Sequence, residues 1–221
     1  MLSARLKALA AHIRPGSRLA DVGTDHAYLP IYAVQQHICP SAIATDIRSG
    51  PVACAKEHVA AAGLSACIDV RKGDGLSTVK PGEVDDIVIA GMGGEMIAAI
   101  LETAPFVRDP RIRLLLQPMS RPEKLREYLL THGFSLEWEE IICEGERLYI
   151  VAQAVFSNAA PVKDSAAYYI GALPPENIRY WRQLCDRLEQ KAKGLLDGGA
   201  GEQAQETYAL LEKIRAYWQE E

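Results

Sequence analysis

The feature that most constrains the fold is a regular alternation of short apolar runs with helix-forming segments over the first 160 residues. The apolar runs have the length and composition of buried strands, whereas the segments between them have the spacing of helices. Five strands are predicted in this way, over residues 18–23, 41–46, 67–71, 86–90 and 113–118. Strands that alternate with helices pair in parallel through right-handed crossovers and are covered on both faces. The sequence therefore predicts an α/β fold around a parallel sheet.

Two further features complete the predicted sheet domain. Residues 134–143 and 147–155 are β-rich and flank a short acidic turn, which predicts an antiparallel addition at one edge of the sheet. Ser120 and Glu123 have the spacing of a capping box, which predicts the start of a helix over residues 123–131 that ends at Gly133.

From Pro161 onward the pattern changes to apolar residues at heptad spacing. Two such stripes flank the glycine-rich break at residues 198–201. Their members are Ile178, Trp181, Cys185, Leu188, Ala192 and Leu195 before the break, and Ala204, Thr207, Leu211, Ile214 and Trp218 after it. The pattern predicts an antiparallel helical hairpin, packed as a coiled coil, in which the stripes bury each other. Residues 1–160 and 161–221 are therefore expected to form two units.

Charge and cysteine content exclude several classes of protein. The chain has 24 basic and 29 acidic residues, a net charge of −5, so binding to a polyanion would have to depend on local basic patches. Five cysteines without a C-x-x-C pair favour neither a disulfide framework nor a metal site. The first residues lack the apolar core of a signal peptide, and no apolar run is long enough for a bilayer. We expect a cytoplasmic protein with no metal, for which a monomer is compatible with the sequence.

Acidic residues follow three of the predicted strands. Asp21, Asp46 and Asp74 fall where the carboxyl ends of parallel strands meet, the usual ligand site of such sheets. Asp46 follows Gly23 by 23 residues, a spacing typical of a carboxylate that binds ribose hydroxyls. Asp25 replaces the second glycine of a dinucleotide-binding loop, where it would repel a pyrophosphate. Although acids at strand ends also cap helices, three in register favour S-adenosylmethionine over a nicotinamide cofactor.

Four sequence segments resemble the bacterial tRNA (adenine-22-N1)-methyltransferase family, TrmK. They are Asp21–Pro30 (DVGTDHAYLP), Gly73–Leu76 (GDGL), Ile89–Gly94 (IAGMGG) and Leu116–Pro118 (LQP). Met119 departs from the asparagine of that family after the last segment. The resemblance implies a class I Rossmann-like methyltransferase domain with a C-terminal coiled coil. It also implies S-adenosylmethionine as cofactor and tRNA as partner, with methylation of N1 of adenine.

The chemistry of this reaction assigns roles to the first turn. N1 of adenine already has a lone pair, so the enzyme has mainly to align the reactants and stabilise the charge that develops. Asp25 is the leading candidate to accept from the exocyclic amine, with the backbone carbonyls of Ala90 and Gly91 as the alternative. His26 would orient Asp25, contact the cofactor, or simply pack in the turn. Tyr28 would stack on the displaced adenine or pack beneath the turn.

The predicted site residues fall into three groups. The catalytic candidates are Asp25, His26 and Tyr28. The predicted cofactor-binding residues are Asp21, Gly23, Asp25, His26, Asp46, Ile47, Asp74, Gly75, Ala90, Gly91, Met92 and Gly93. The predicted RNA contacts are Arg5, Lys7, Arg14, Arg121 and Arg126, from two basic clusters. A small-molecule methyltransferase, a nicotinamide enzyme and a non-catalytic RNA-binding protein remain as alternatives.

Overall fold

A computed structural model describes residues 2–219 of the chain. Met1 and residues 220–221, at the outer ends of the two predicted units, lie outside the described residues. The strands are β1 (Leu19–Val22), β2 (Ala42–Asp46), β3 (Ile68–Lys72), β4 (Asp86–Gly93), β5 (Arg113–Ser120), β6 (Phe134–Glu144) and β7 (Arg147–Phe156). The helices are α1 (Ala4–Ala11), α2 (Tyr28–Gln35), α3 (Ser49–Ala61), α4 (Gly94–Glu102), α5 (Pro122–Thr131), α6 (Ser165–Ile170), α7 (Ile178–Asp197) and α8 (Gly201–Gln219), with a short 3-10 helix at Pro105–Arg108. Across residues 2–219, we find no helix that is both long and apolar enough to span a membrane.

The strands form one sheet in the order β3-β2-β1-β4-β5-β7-β6. The first five pair in parallel, β7 pairs antiparallel with β5, and β6 pairs antiparallel with β7, which confirms the predicted sheet and its edge. Successive side chains of β4 enter opposite cores: Ile87 and Ile89 pack on one face, and Val88 packs on the other. Both faces are therefore buried, as continuous apolar strands require.

Strand β4 continues three residues beyond its predicted end at Ala90. Met92 and Gly93 still pair with Pro118 and Ser120 of β5, and the buried Gln117 Oε1 accepts from the backbone N of Gly91 at 3.1 Å. The register with β5 shifts between Ala90 and Met92, as in a β-bulge, and Gly91 adopts a φ of +79°. The bulge carries residues 91–93 over the carboxyl edge of the sheet.

The predicted capping box is wrong. Ser120 ends β5 and pairs with Gly93 of β4, so its backbone belongs to the sheet rather than to a helix start. Arg121 occupies the N-cap position of α5 instead, with a φ of +51° and no side-chain cap. Gly133 ends the segment as predicted, with a φ of +83°.

The two C-terminal helices form the predicted antiparallel hairpin. Trp181 near the start of α7 contacts Tyr217 near the end of α8, with ring centroids 5.4 Å apart. The stripes are not buried by each other alone, because Leu148 and Ile150 of β7 belong to the same apolar cluster. The first stripe member, Ile178, is exposed, contrary to the prediction. The hairpin is therefore docked on the antiparallel edge of the sheet.

Arg126 is a buried ion-pair residue, so its prediction as an RNA contact is wrong. Its side chain is 2% exposed, and Nε donates to Glu139 Oε1 at 2.8 Å. Its Nη1 donates to the carbonyl of Tyr169 at 2.6 Å, and Glu139 Oε2 accepts from the backbone N of Ala172 at 2.6 Å. The pair therefore joins α5 and β6 to the segment that leads into the hairpin.

Arg14 is also engaged within the protein. Its Nε and backbone N donate to the carboxylate of Asp86, which is fully buried, each at 2.7 Å. Asp86 begins β4, so Arg14 lies at the amino ends of the parallel strands, opposite the edge where their carboxyl ends meet. Its charge neutralises a buried acid at the remote edge, but its side chain is 37% exposed, so the role of Arg14 as an RNA contact stays a prediction.

We expect Arg126→Ala to lower the free energy of unfolding by about 3–5 kcal/mol, because it leaves the Glu139 carboxylate buried without its partner. Urea denaturation measures the change. Lys124→Ala is the matched control: it removes an exposed pair with Glu127 from the same helix and should cost about 0–1 kcal/mol. Equal effects of the two substitutions would contradict a supporting role for the buried pair.

Candidate functional site

A cavity of about 810 Å³ lies at the carboxyl edge of β1, β2 and β4. All twelve predicted cofactor-binding residues and all three catalytic candidates line it. Arg5 is the one predicted RNA contact that also lines it. The roles of these residues stay predictions, but the structure brings them to one place. A volume of this size accommodates a cofactor together with part of a second substrate.

The turn after β1 is held against the end of β2. The backbone N atoms of Gly23 and Thr24 both donate to the carbonyl of Thr45, at 2.8 and 2.9 Å. Gly23 has a φ of +73°, and a Cβ there would collide with the terminal methyl of Met92. Asp25 follows with a φ of +51°, and its side chain is 56% exposed at the rim of the cavity. The turn is therefore held in place by hydrogen bonds to β2, and it presents the Asp25 carboxylate at the rim of the cavity.

Asp21 lies on the floor of the cavity. It is 6% exposed and accepts a hydrogen bond from Thr24 Oγ1 at 2.5 Å. Burial raises the pKa of this carboxyl to about 6, although the Thr24 bond opposes the shift. The carboxyl on the floor of the cavity is therefore partly protonated near neutral pH.

The ends of β2 and β3 form a second wall. Asp46 is buried, and its Oδ1 accepts from the backbone N of Arg48 at 2.8 Å. Within residues 2–219 the hydrogen bonds to this carboxylate fall on Oδ1, so Oδ2 has no protein donor, and Asp46 lines the cavity. The next residue, Ile47, is an exposed apolar side chain, and Asp74 is an exposed acid across the cavity. This wall combines hydrogen-bond acceptors with an apolar surface, the combination that a nucleoside requires.

The mouth of the cavity is apolar and aromatic. Tyr28 is 47% exposed, and Met96 of α4 is exposed to a similar degree. The ring of Tyr28 stacks on those of His26 and His58, with centroid distances of 5.2 and 5.5 Å. Gly91 has open space where a Cβ would stand, so a flat ligand can approach the bulge closely.

The acid of the first turn has two cationic or polar neighbours. Asp25 lies 3.4 Å from His26 Nε2 and 3.8 Å from an Nη atom of Arg48. The position of His26 is compatible with the prediction that it orients Asp25, and its stacking on Tyr28 also fits a packing role. Arg48 was not predicted, because a base that follows a strand-ending acid has no distinctive sequence signal.

The remaining predicted RNA contacts lie around the site. Arg5 pairs with Glu144 at 3.5 Å and lies 4.7 Å from the ring centroid of Tyr149. Lys7 is exposed on α1. Arg121 pairs with Glu95 at 2.6 Å beside the bulge. These three stay predictions.

Other lining residues were missed by sequence reasoning. They are Leu6, Val22, Thr24, Leu29, Thr45, Arg48, Gly73, Met96 and Ile100. Several adjoin predicted residues, so extending the motifs by one position would have found them. Met96 and Ile100 come from helix α4, where their apolar character alone predicts burial rather than a lining position.

We expect Asp21→Asn to stabilise the cofactor-free protein at pH 8 and to lose this advantage in acid. The folded-state pKa of about 6 exceeds the ordinary value of 3.8, so the charged carboxylate destabilises the fold above pH 6. The two-unit difference corresponds to at most about 3 kcal/mol, and the cost disappears as the pH falls below 4. Urea denaturation of both proteins at pH 8 and pH 4 measures it. A difference independent of pH would contradict the buried, raised-pKa assignment.

Comparison with known proteins agrees with this arrangement. A family described as a methyltransferase domain matches residues 2–152. The tRNA (adenine(22)-N(1))-methyltransferase of Bacillus subtilis (strain 168) is 45% identical over 161 residues, which are 72% of this chain and 68% of that protein.

Solved structures extend the similarity to the whole described chain. The crystal structure of the B. subtilis m1A22 tRNA methyltransferase TrmK has a TM-score of 0.85 at 34% identity, over 100% of this chain and 98% of that one. A putative tRNA (m1A22) methyltransferase of Streptococcus pneumoniae, in complex with S-adenosyl-L-methionine, has a TM-score of 0.82 at 32% identity, over 99% of this chain and 100% of that one. The domain match, the curated relative and the shared fold together show that this chain belongs to the TrmK family of tRNA (adenine(22)-N(1))-methyltransferases.

Proposed function

We propose that this chain transfers the methyl group of S-adenosylmethionine to N1 of adenine 22 in tRNA. The proposal rests on one observation: a single cavity is lined by acids that follow the strands, by the exposed ring of Tyr28 and by the bulge at Gly91. The curated relative at 45% identity is named for the same reaction. A tRNA substrate places the proposed activity in the cytoplasm. We propose that the chain acts as a monomer.

The cavity suits the proposed cofactor. The free Oδ2 of Asp46 is placed to accept from ribose hydroxyls, Ile47 offers an apolar surface to adenine, and Asp74 is an acceptor for its amino group. The structure of M. capricolum TrmK, which was solved in complex with S-adenosyl-homocysteine, has a TM-score of 0.84 at 26% identity, over 99% of this chain and 98% of that one. When bound, the cofactor supplies a methyl group on a cationic sulfonium. The exposed Asp25 carboxylate tolerates such a charge but would repel the pyrophosphate of a dinucleotide.

The acceptor base requires alignment rather than deprotonation. N1 carries its own lone pair, and methylation leaves a positive charge on the base, so no proton has to be removed before attack. An acceptor at the exocyclic amine stabilises that charge as it develops. We assign this role to Asp25, whose exposed carboxylate lies at the rim of the cavity, 3.4 Å from His26 and 3.8 Å from Arg48.

Tyr28 and Met96 form the proposed slot for the base. An adenine within folded tRNA has to leave its stack before its Watson–Crick edge is accessible. The exposed face of Tyr28 offers a replacement stacking surface, and its ring is supported from behind by His26 and His58. The apolar side chain of Met96 lines the same cavity.

A second groove lies beside the hairpin. Its volume is about 420 Å³, and it lies between the end of β5 and helix α7. Arg121, Arg187 and Lys191 line it, together with the exposed Met119. Because β5 ends at the same edge as the cavity, phosphates bound in this groove would lie near the base slot. We propose that residues 1–160 perform the catalysis and that residues 161–221 help to bind tRNA through this groove.

We expect Asp25→Asn to lower kcat for methyl transfer to tRNA by roughly 10- to 100-fold, with the Kd for S-adenosylmethionine nearly unchanged, because the acceptor acts on charge that develops in the transition state. Asp46→Ala should instead raise that Kd by about 10-fold or more, because it removes the ribose acceptor. Radiolabelled methyl transfer and calorimetry measure the two quantities.

The control for both variants is Asp109→Asn, which removes a surface acid paired with Arg111 away from the cavity. It should change neither quantity. Full kcat in Asp25→Asn would refute the proposed catalytic role, and absence of S-adenosylmethionine binding to the unmodified protein would refute the proposed function itself.

We expect the double variant Arg187→Ala, Lys191→Ala to raise the Kd for tRNA by about 10-fold and to reduce its salt dependence, because two phosphate contacts are lost. Binding of S-adenosylmethionine should not change. Filter binding at several salt concentrations measures the effect. Lys193→Ala with Lys213→Ala is the matched control, since these hairpin lysines pair with Glu189 and Asp164 outside the groove. An equal loss in both double variants would show that only the overall charge of the hairpin matters.

A further inference from the structure

Three side chains with metal-binding atoms converge beside the first turn. They are His26, Cys54 and His58, and one ligand atom from each lies within 4.8 Å of the others. Cys54 and His58 are four residues apart on α3, which places them on the same face of the helix. His26 comes from the turn after β1 and faces them. The proposed methyl transfer assigns no role to Cys54, and His58 serves it only as support for a ring.

The separations of these atoms are close to those of a tetrahedral zinc site. Nδ1 of His26 lies 3.0 Å from Sγ of Cys54, and Nε2 of His58 lies 3.9 Å from the same sulfur. Bond lengths of about 2.3 Å to sulfur and 2.0–2.1 Å to nitrogen place tetrahedral ligands about 3.5 Å apart. On binding, the His26–Cys54 separation would lengthen and the His58–Cys54 separation would shorten, each by about half an ångström, which side-chain rotation allows.

The outer nitrogens of both histidines have the partners that zinc-bound histidines have. Nδ1 of His58 lies 3.0 Å from the backbone carbonyl of His26, so it carries the proton and leaves Nε2 with its lone pair toward Cys54. Nε2 of His26 lies 3.4 Å from the carboxylate of Asp25, which leaves Nδ1 toward the same sulfur. Carbonyl and carboxylate acceptors behind the ligating rings are typical of zinc sites. This observation is independent of the ligand separations.

We propose that His26, Cys54 and His58 bind a Zn²⁺ ion through Nδ1, Sγ and Nε2, with the fourth position open to water. Two imidazoles and one thiolate are a donor set that suits zinc. The thiolate and the neighbouring Asp25 carboxylate together balance the charge of the ion. All three ligands are partly exposed, so the ion can enter. The ion ties the turn that carries Asp25 and Tyr28 to helix α3.

Sequence spacing does not reveal this site. His26 precedes Cys54 by 28 residues, and no C-x-x-C pair accompanies it, so the sequence favoured no metal. The three residues meet only because β1 and β2 are adjacent in the sheet, which brings the turn after β1 against the helix that follows β2.

The test is cobalt titration of the full chain after reduction and removal of metals with a chelator. We expect one cobalt per chain, with the charge-transfer absorption of a cobalt–thiolate bond, and displacement of cobalt by zinc. Cys54→Ser and His58→Gln should each abolish the stoichiometric site. Cys67→Ser with Cys143→Ser is the control and should retain it, because these cysteines lie outside the cluster.

Thermal unfolding supplies a second readout that does not depend on spectroscopy. Zinc in 100-fold excess over its Kd should raise the Tm of the unmodified chain by about 5 °C or more and leave that of Cys54→Ser unchanged. Circular dichroism verifies that each variant is folded. Absence of the cobalt band in the unmodified chain, or the same band in Cys54→Ser, would show that the cluster is only a hydrogen-bonded thiol and imidazole group. Neither readout uses cofactor or tRNA, so failure here leaves the proposed methyl transfer untouched.

Discussion

Strand β1 pairs in parallel with β2 on one side and with β4 on the other, and the site depends on this arrangement. The chain leaves β1 toward β2 and β3, and then crosses to the opposite side to form β4 and β5. The connections after β1 and β4 therefore diverge and leave a crevice between them at the carboxyl edge. Asp21, Asp46 and the Gly91 bulge meet there although they are far apart in sequence.

The acidic residues of the crevice differ in burial between its floor and its rim. Burial raises the pKa of Asp21 on the floor to about 6, whereas the rim carboxylate of Asp25 is largely exposed and lies near Arg48. Three basic residues, Arg121, Arg187 and Lys191, line the groove beside α7, against one acid, Glu123. The negative net charge of the chain is thus compatible with a polyanionic partner, because this groove is locally basic.

The sheet and most of the cavity follow from sequence because their signals are local. An acid that ends a buried strand lies at the carboxyl edge whatever the details of packing, which is why Asp21, Asp46 and Asp74 were found. The extension of β4 to Gly93 involves pairing with the end of β5 and a bond to Gln117, a residue 26 positions after Gly91, and no local pattern contains that information.

The environment of the basic residues, in contrast, could not be predicted from the sequence. Arg121 and Arg126 lie in the same basic cluster of the sequence, yet Arg121 is exposed at the start of α5 and Arg126 is buried against Glu139. The two arginines differ in environment because β6, which carries Glu139, packs beneath α5, and that is a tertiary contact. The same reasoning applies to His26, Cys54 and His58, whose convergence depends on two adjacent strands rather than on spacing.

The central claim is that the crevice presents N1 of one adenine in tRNA to a methyl donor. The most direct test is methyl transfer from S-adenosylmethionine to two unmodified tRNA transcripts, one with adenine at position 22 and one with guanine there, followed by mapping of the modified base. We predict transfer of one methyl group to N1 of adenine 22 in the first transcript and none to the second. Equal transfer to both transcripts, or a methyl group mapped to another position, would contradict the account.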